Sequence, residues 1–444
     1  MDYQAMARDH VLHALRREKS VIFQRAEGSR LWDINGKSYL DTMSGSAGPA
    51  MVGHANPVVA AAVAKQMATL PSVNLVHDSV PVIEFCTRIA KIAPAGLSKT
   101  FLCVGGGEAV EAAIKFAMRV TGRSEILSLT GAYHGQSLAT MGLGGMPALR
   151  KWLPGSVRWP NFRQIPSGDA YRPPLGDEAE AAVKALEADL AAGSSGHVAA
   201  LIVELVQGPN GHSVYTPEYY KGVQEVCKKH DVLLIVDEIQ TGLSRCGTTW
   251  ACDVYDVKPD ILVIGKALGG GVPIGAFITK KELIPAGMEN EAWHMLTFMN
   301  QPLSAVAGLA VLDIMEKENL SRRAKTLGAQ ATEKFKEMAR KYEVIGDVRG
   351  PGLFIGVDFV ESRQTKTPAT AACRKAWDFA VDNGLITQFG GFATNVYKFK
   401  PPLTTPAADF EQMLDISERM VAFIQQEVDR QSRVPMTAVP ASQR

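Results

Sequence analysis

The chain has 444 residues, 46% of them hydrophobic and 21% charged, with 47 lysines and arginines against 46 aspartates and glutamates. That length exceeds what one hydrophobic core serves, so two packed domains are expected, and the composition excludes a disordered or fibrous protein. With no long run of one charge sign, neither nucleic acid nor an anionic membrane has an electrostatic footprint here, and the expected partners are small molecules.

The first 20 residues mix acids and bases in an amphipathic pattern without an apolar signal core. No stretch reaches the roughly 18 apolar residues of a spanning helix, so a cytoplasmic location is expected. From about residue 97 to 280, apolar runs at 101–104, 126–129, 201–205, 232–236, 261–264 and 276–279 read as strands. They are continuous rather than alternating, the pattern of a parallel sheet covered on both faces. After the first run, Ala109, Ala112, Ala113, Phe116, Ala117 and Val120 recur at three-and-four spacing, one face of an amphipathic helix. Residues 217–229 read likewise, and the Gly/Pro-rich stretch 166–177 reads as a surface excursion. Beyond about 315, charged helical stretches at 321–341, 370–383 and 406–430 surround strand-like runs at 344–348, 353–360 and 396–400. The expected division is an N-terminal segment, 1–50, packing with the small domain; a large domain, 51–315; a smaller α+β domain, 316–432; and a tail, 433–444, without periodicity. Cys86, Cys103, Cys227, Cys246, Cys252 and Cys373 form no CxxC pair and read as reduced core thiols.

Ligands of open α/β sheets gather beyond the carboxyl ends of the strands, so the residues just after each apolar run are the candidates for chemistry. Gly105, Gly106 and Gly107 end one run and open a helix, where backbone amides and the helix dipole suit a phosphate; alone they equally suit a tight turn. They match neither a dinucleotide fingerprint nor a Walker loop. Tyr133 and His134 follow the next run, where an aromatic face can cover a flat heterocycle or simply pack in the core. Asp237 follows VLLIV, placed either to hold a proton on a ring nitrogen or to cap a helix. Lys266 follows DILVIG and precedes ALGGGVPIGAF, an apolar setting that desolvates an amine toward nucleophilic use; the competing reading is an end-of-strand surface lysine. A phosphate cradle, an aromatic lid, an acid for a ring nitrogen and a desolvated lysine together meet the needs of pyridoxal phosphate. No metal-binding set is read from the sequence.

From about residue 26 to 424 the chain resembles the class III, or ω-type, aminotransferases. AEGSRLWDINGKSYLD resembles the family's N-terminal segment, GGGEAVEAAIKFA its phosphate loop, GAYHG its ring-stacking motif, IVDEIQTGLSRCG its aspartate motif and PDILVIGKALGGGVPIGA its lysine motif. RGPGLFIGVDF and PPL continue in the family's order. The resemblance implies a fold-type I pyridoxal-phosphate transferase of class α/β, with a mostly parallel seven-stranded sheet in the large domain and a smaller α+β domain. It implies that Lys266 holds pyridoxal 5'-phosphate as a Schiff base and shuttles the substrate's proton, and that Asp237 keeps the ring nitrogen protonated. Tyr133 and Ile239 would cover the two ring faces, with His134 beside them in the ring-stacking motif; Gln240 would reach the ring hydroxyl, and the amides of Gly106 and Gly107 would hold the phosphate. Glu204, followed by Leu205 where the family has proline, would order the site. Thr297 would reach the phosphate of a neighbouring subunit, implying a homodimer with shared active sites, or a tetramer.

The chain departs from the family pattern at Gly105 and Gly107, where the phosphate loop reads Ser-Gly-Ser, and at Asn300 and Gln301. It also has Lys398, in YKFKPPL, where many relatives place a carboxylate-gripping arginine, and no tryptophan in SGSAG at 44–48. Transamination between an amine or amino acid and an oxo acid is the leading expectation. The alternatives are the family's other chemistries, decarboxylation of 2,2-dialkylglycines and racemisation or epimerisation of amino acids, which differ in the bond held perpendicular to the ring. A binding protein that had abandoned catalysis would be expected to lose Lys266 or Asp237, and a nucleotide-dependent oxidoreductase lacks its loop.

Overall fold

The computed structural model describes residues 1–15, 19–152, 161–172 and 179–432. The predicted tail, 433–444, and residues 173–177 of the predicted excursion lie outside the described residues. Seven strands form the central sheet: β1 (Leu97–Cys103), β2 (Glu125–Leu129), β3 (Phe162–Ile165), β4 (Val198–Val203), β5 (Leu233–Asp237), β6 (Ile261–Gly265) and β7 (Gly275–Lys280). Their spatial order is β1-β7-β6-β5-β4-β2-β3. From β6 to β3 every pairing is parallel, whereas β7 runs antiparallel to both neighbours. Strands β2, β4 and β6 are buried along their whole length, as expected of continuous apolar runs with helices on both faces.

Edge strand β3 has no such run. Its sequence is Phe-Arg-Gln-Ile and only Ile165 is buried, because an edge position leaves one side to water and to ion pairing, here Arg163 with Glu125 and Asp189. Helix α1 (Gly106–Thr121) lies on β6 and β7 and buries Val110 and Ile114 along with Ala109, Ala112, Ala113, Phe116 and Ala117. That face is wider than the predicted stripe, and Val120 is half-buried at its end. Helix α2 (Pro217–Lys229) begins where Thr216 accepts the amide of Tyr219 and proline occupies the first turn, and it ends on Lys228 and Lys229.

The C-terminal region builds an antiparallel sheet from Ile345–Arg349, Ile355–Ser362, Val396–Phe399 and Phe389–Gly390. Helices Leu320–Lys341, Thr370–Asp382 and Ala407–Ser432 accompany it. Strands Phe23–Glu27, Arg30–Asp33 and Ser38–Asp41 connect to this region through parallel pairing of Ser38–Asp41 with Leu385–Ile386, and Arg30 pairs with Asp409 at 2.6 Å. Among the described residues, no helix is long and apolar enough to cross a membrane.

Candidate active site

The carboxyl ends of five strands converge on one slot of about 250 Å³, lined by Gly106, Gly107, Tyr133, His134, Glu204, Asp237, Ile239, Gln240 and Lys266 together with Gly135 and Gln136. Each lining residue ends a strand or follows one within several residues, so the sheet itself sets its position. A slot of this size accommodates one substituted ring.

Helix α1 starts at Gly106 without a side-chain cap, which leaves its first backbone N–H groups without intrahelical partners at the mouth of the slot. Glycine is needed at 106 because of a close approach: a Cβ there would meet Ile239 Cδ1 at 2.9 Å. Opposite, Asp237 is buried, accepts from the Ile239 amide at 3.1 Å, and meets His134 Nδ1 at 2.8 Å. The carboxylate therefore takes a proton-bearing Nδ1 of the imidazole, whose Nε2 is buried without a partner. No helix begins at Asp237, so the capping alternative does not apply.

Glu204 is buried where β4 ends and accepts from the amides of Tyr133 at 2.8 Å and Gly208 at 3.3 Å. Burial, with the charge of Asp237 adding and His134 opposing, raises its carboxyl to about 7. Burial also raises the Tyr133 phenol, and Glu204 and Asp237 add to the effect. Lys266 is held at φ +45°, a left-handed conformation uncommon outside glycine. Burial pushes its amine down, against the pull of Asp237 and Glu204. An acid shifted up and an amine shifted down in one cavity are a mark of functional sites.

A second group of cations lies behind Gln240. Lys398 and Lys400 sit two residues apart at the end of strand Val396–Phe399, hence on one face of it, and both are buried. Lys398 Nζ donates to Gln388 Oε1 at 2.8 Å, and burial, reinforced by the charge of Lys266, lowers it to about 8. Lys400 Nζ donates to Gln240 Oε1 at 2.7 Å, and burial holds it well below the usual lysine range. Sequence reasoning singled out Lys398 and missed Lys400; the available signal was the pair of lysines at strand spacing in an otherwise apolar run. Thr297 does not join the slot. It is exposed, in a segment whose Met295 and Met299 border a separate cavity of about 1160 Å³.

Residues 13–421 match the Aminotransferase class-III family. The chain is 35% identical over 382 residues to alanine--glyoxylate aminotransferase 2 homolog 2, mitochondrial, of Arabidopsis thaliana, covering 86% of this chain and 79% of that one. It is 33% identical over 416 residues to the leucine/methionine racemase of Thermococcus litoralis, covering 91% of this chain and 91% of that one. The fold matches that of an amine transaminase from an uncultivated Pseudomonas species, solved in a PLP-bound form, with TM-score 0.87 and 28% identity over 93% of this chain and 98% of that one.

Proposed function

The chain belongs to the class-III aminotransferase family, and on that footing we propose that Lys266 is the residue through which it holds pyridoxal 5'-phosphate. It is a pyridoxal-phosphate-dependent aminotransferase of fold type I, moving an amino group from an amine or amino acid to an oxo acid. When bound, the cofactor supplies an aldehyde that condenses with amines and an electron-withdrawing ring.

The observation that carries the assignment to Lys266 is its desolvated amine, opening onto a slot across from an anchored carboxylate. Desolvation favours the neutral amine, which takes the proton from the substrate's α-carbon at Nζ and returns it. Asp237, oriented by His134, would keep the ring nitrogen protonated by charge pairing. The N–H groups of Gly106 and Gly107 would hold the phosphate, Tyr133 and Ile239 would border the ring, and Gln240 would reach the ring hydroxyl. Glu204 fixes the loop carrying Tyr133 by accepting its amide. The residues thus fit the group on an observation independent of family: glycine at 106 leaves Ile239 room to border a flat slot that a Cβ would close.

Thr297 acts on a neighbouring subunit's site in this reading, and the chain works as a dimer; its exposure beside Met295 and Phe298, which are 61% and 55% exposed, supports this. Light scattering of the purified protein tests it, and a monomer with full activity would refute it. A second reading, racemisation or epimerisation, draws support from Lys398 in the arginine's place and the likeness to the leucine/methionine racemase. A half-reaction screen of amines and amino acids decides between them. An oxo product with the amino group left on the cofactor supports transamination, whereas inverted stereochemistry without net transfer supports the second reading. Borohydride reduction followed by peptide mapping should place the cofactor on Lys266, and a label on another lysine would overturn that assignment.

A further inference from the structure

Lys400 Nζ donates to Gln240 Oε1 at 2.7 Å, which occupies the carbonyl oxygen of the carboxamide and leaves its nitrogen as the donor end. Gln240 lines the slot, and the turn at Gly208 lies flat on its carboxamide: a Cβ on Gly208 would meet Nε2 at 2.5 Å. Lys400 is anchored on both sides of its side chain. Its backbone amide donates to Thr42 O at 2.9 Å, its carbonyl accepts from Ser44 Oγ at 2.7 Å, and its Nζ stands 5.3 Å from the Phe354 ring centroid.

Burying a cation there is costly, and the surroundings do little to offset it. The charged and titratable groups facing Lys400 are Lys266, Lys398, Arg245, Asp41 and His212, of which only Asp41 attracts it. A methionine would fill the space at lower cost. What it would not do is choose between the two orientations of a primary amide, which are otherwise close in shape.

We propose that Lys400 is a positioning residue, fixing the Gln240 carboxamide with its N–H donor toward the ring oxygen of the bound cofactor and so setting the pH at which that cofactor's visible band changes. The inference rests on the reading that this slot binds pyridoxal phosphate. A donor at the ring oxygen stabilises its anion and weakens the proton that oxygen shares with the neighbouring nitrogen. Loss of the donor therefore raises the pH midpoint of the band.

The test is a pH titration of the visible spectrum of the holoenzyme for wild type, K400M, Q240L and the double variant, with K400R as the conservative replacement and thermal midpoints recorded for each. Expected are upward shifts of about one pH unit, tenfold in the proton equilibrium, for K400M and Q240L alike, no further shift in the double variant, and a smaller one in K400R. An unmoved midpoint in K400M overturns the inference, as do additive shifts in the double variant, which would mean that Lys400 acts without Gln240. Should K400M not fold, K400R decides, because an arginine shift as large as that of Q240L contradicts fixing by a donor at position 400. A wild type with no visible band would instead sink the cofactor reading itself.

Discussion

Replacing Gly106 with alanine separates cofactor binding from folding. The added Cβ would stand 2.9 Å from Ile239 Cδ1 and 3.3 Å from Cγ2, against the 3.5–4.0 Å at which carbon atoms rest. The nearest gap is therefore short by about 0.6 Å. The obstructing atoms are the far end of a side chain, not backbone, and Ile239 is buried except where it meets the slot. It borders the slot, so displacing its tip crowds the space proposed for the ring. Gly106 opens a helix in a conformation open to alanine, and such a replacement typically stabilises by about 0.4–1 kcal/mol by narrowing the unfolded ensemble. G106A should thus leave the apoprotein's thermal midpoint unchanged or slightly raised. Crowding the ring should cost about 1–2 kcal/mol of cofactor binding, roughly a five- to thirtyfold rise in Kd. Titrating pyridoxal phosphate into resolved apoprotein, with calorimetry of the same samples, reads both quantities. A wild-type Kd in G106A, or an apoprotein destabilised as much as the holoprotein, would refute the geometry.

Lys266→Ala should abolish turnover while the apoprotein keeps the wild-type circular dichroism spectrum; near wild-type rates would end the mechanism. Because burial lowers the Lys266 amine from its ordinary value of 10.5, and only the neutral amine reacts with an aldehyde, cofactor capture by apoprotein should accelerate with pH and level off below 10.5. Stopped-flow reconstitution measures this, and a midpoint at or above 10.5 contradicts the desolvation argument. Glu204 is raised from 4.5 to about 7, so the fold prefers its neutral form. Its contribution to stability is complete below the unfolded value and is lost as pH rises through about 7. The thermal midpoint of apoprotein should fall between pH ~4.5 and ~7, and Glu204→Gln should flatten that slope; an equal slope in the variant would disprove it.

Much of the sheet was legible because burial on both faces forces continuous apolar runs, and the six predicted runs fall on six of its strands. Where the sequence was silent, physics explains the silence. Strand β3 is an edge strand of mixed polarity, and the short N-terminal strands carry charged residues such as Arg25 and Arg30 on exposed or half-buried positions. The run predicted through 205 stops pairing at Val203, where the chain turns to present Glu204 to the Tyr133 loop. Strand order was not readable at all. Nothing in the spacing of β7 shows that it inserts, antiparallel, between β1 and β6.

The site was legible for a related reason: a charged or glycine-rich interruption directly after a buried strand stands out against it, and Gly106, Asp237 and Lys266 are all such interruptions. Lys400 escaped because its meaning lies in a partner 160 residues away, brought near only when the C-terminal sheet docks on the large one. Thr297 marks the opposite limit, since a residue whose proposed partner is another subunit remains apart from the slot in a single chain. The asymmetry follows from what each residue answers to. A strand-end residue is dictated by its own neighbours in sequence, whereas a supporting residue is dictated by a distant surface. Local pattern betrays it only through cost, and two lysines on one face of a buried strand are such a cost, which the fold tolerates where each donates to a half-buried glutamine carbonyl.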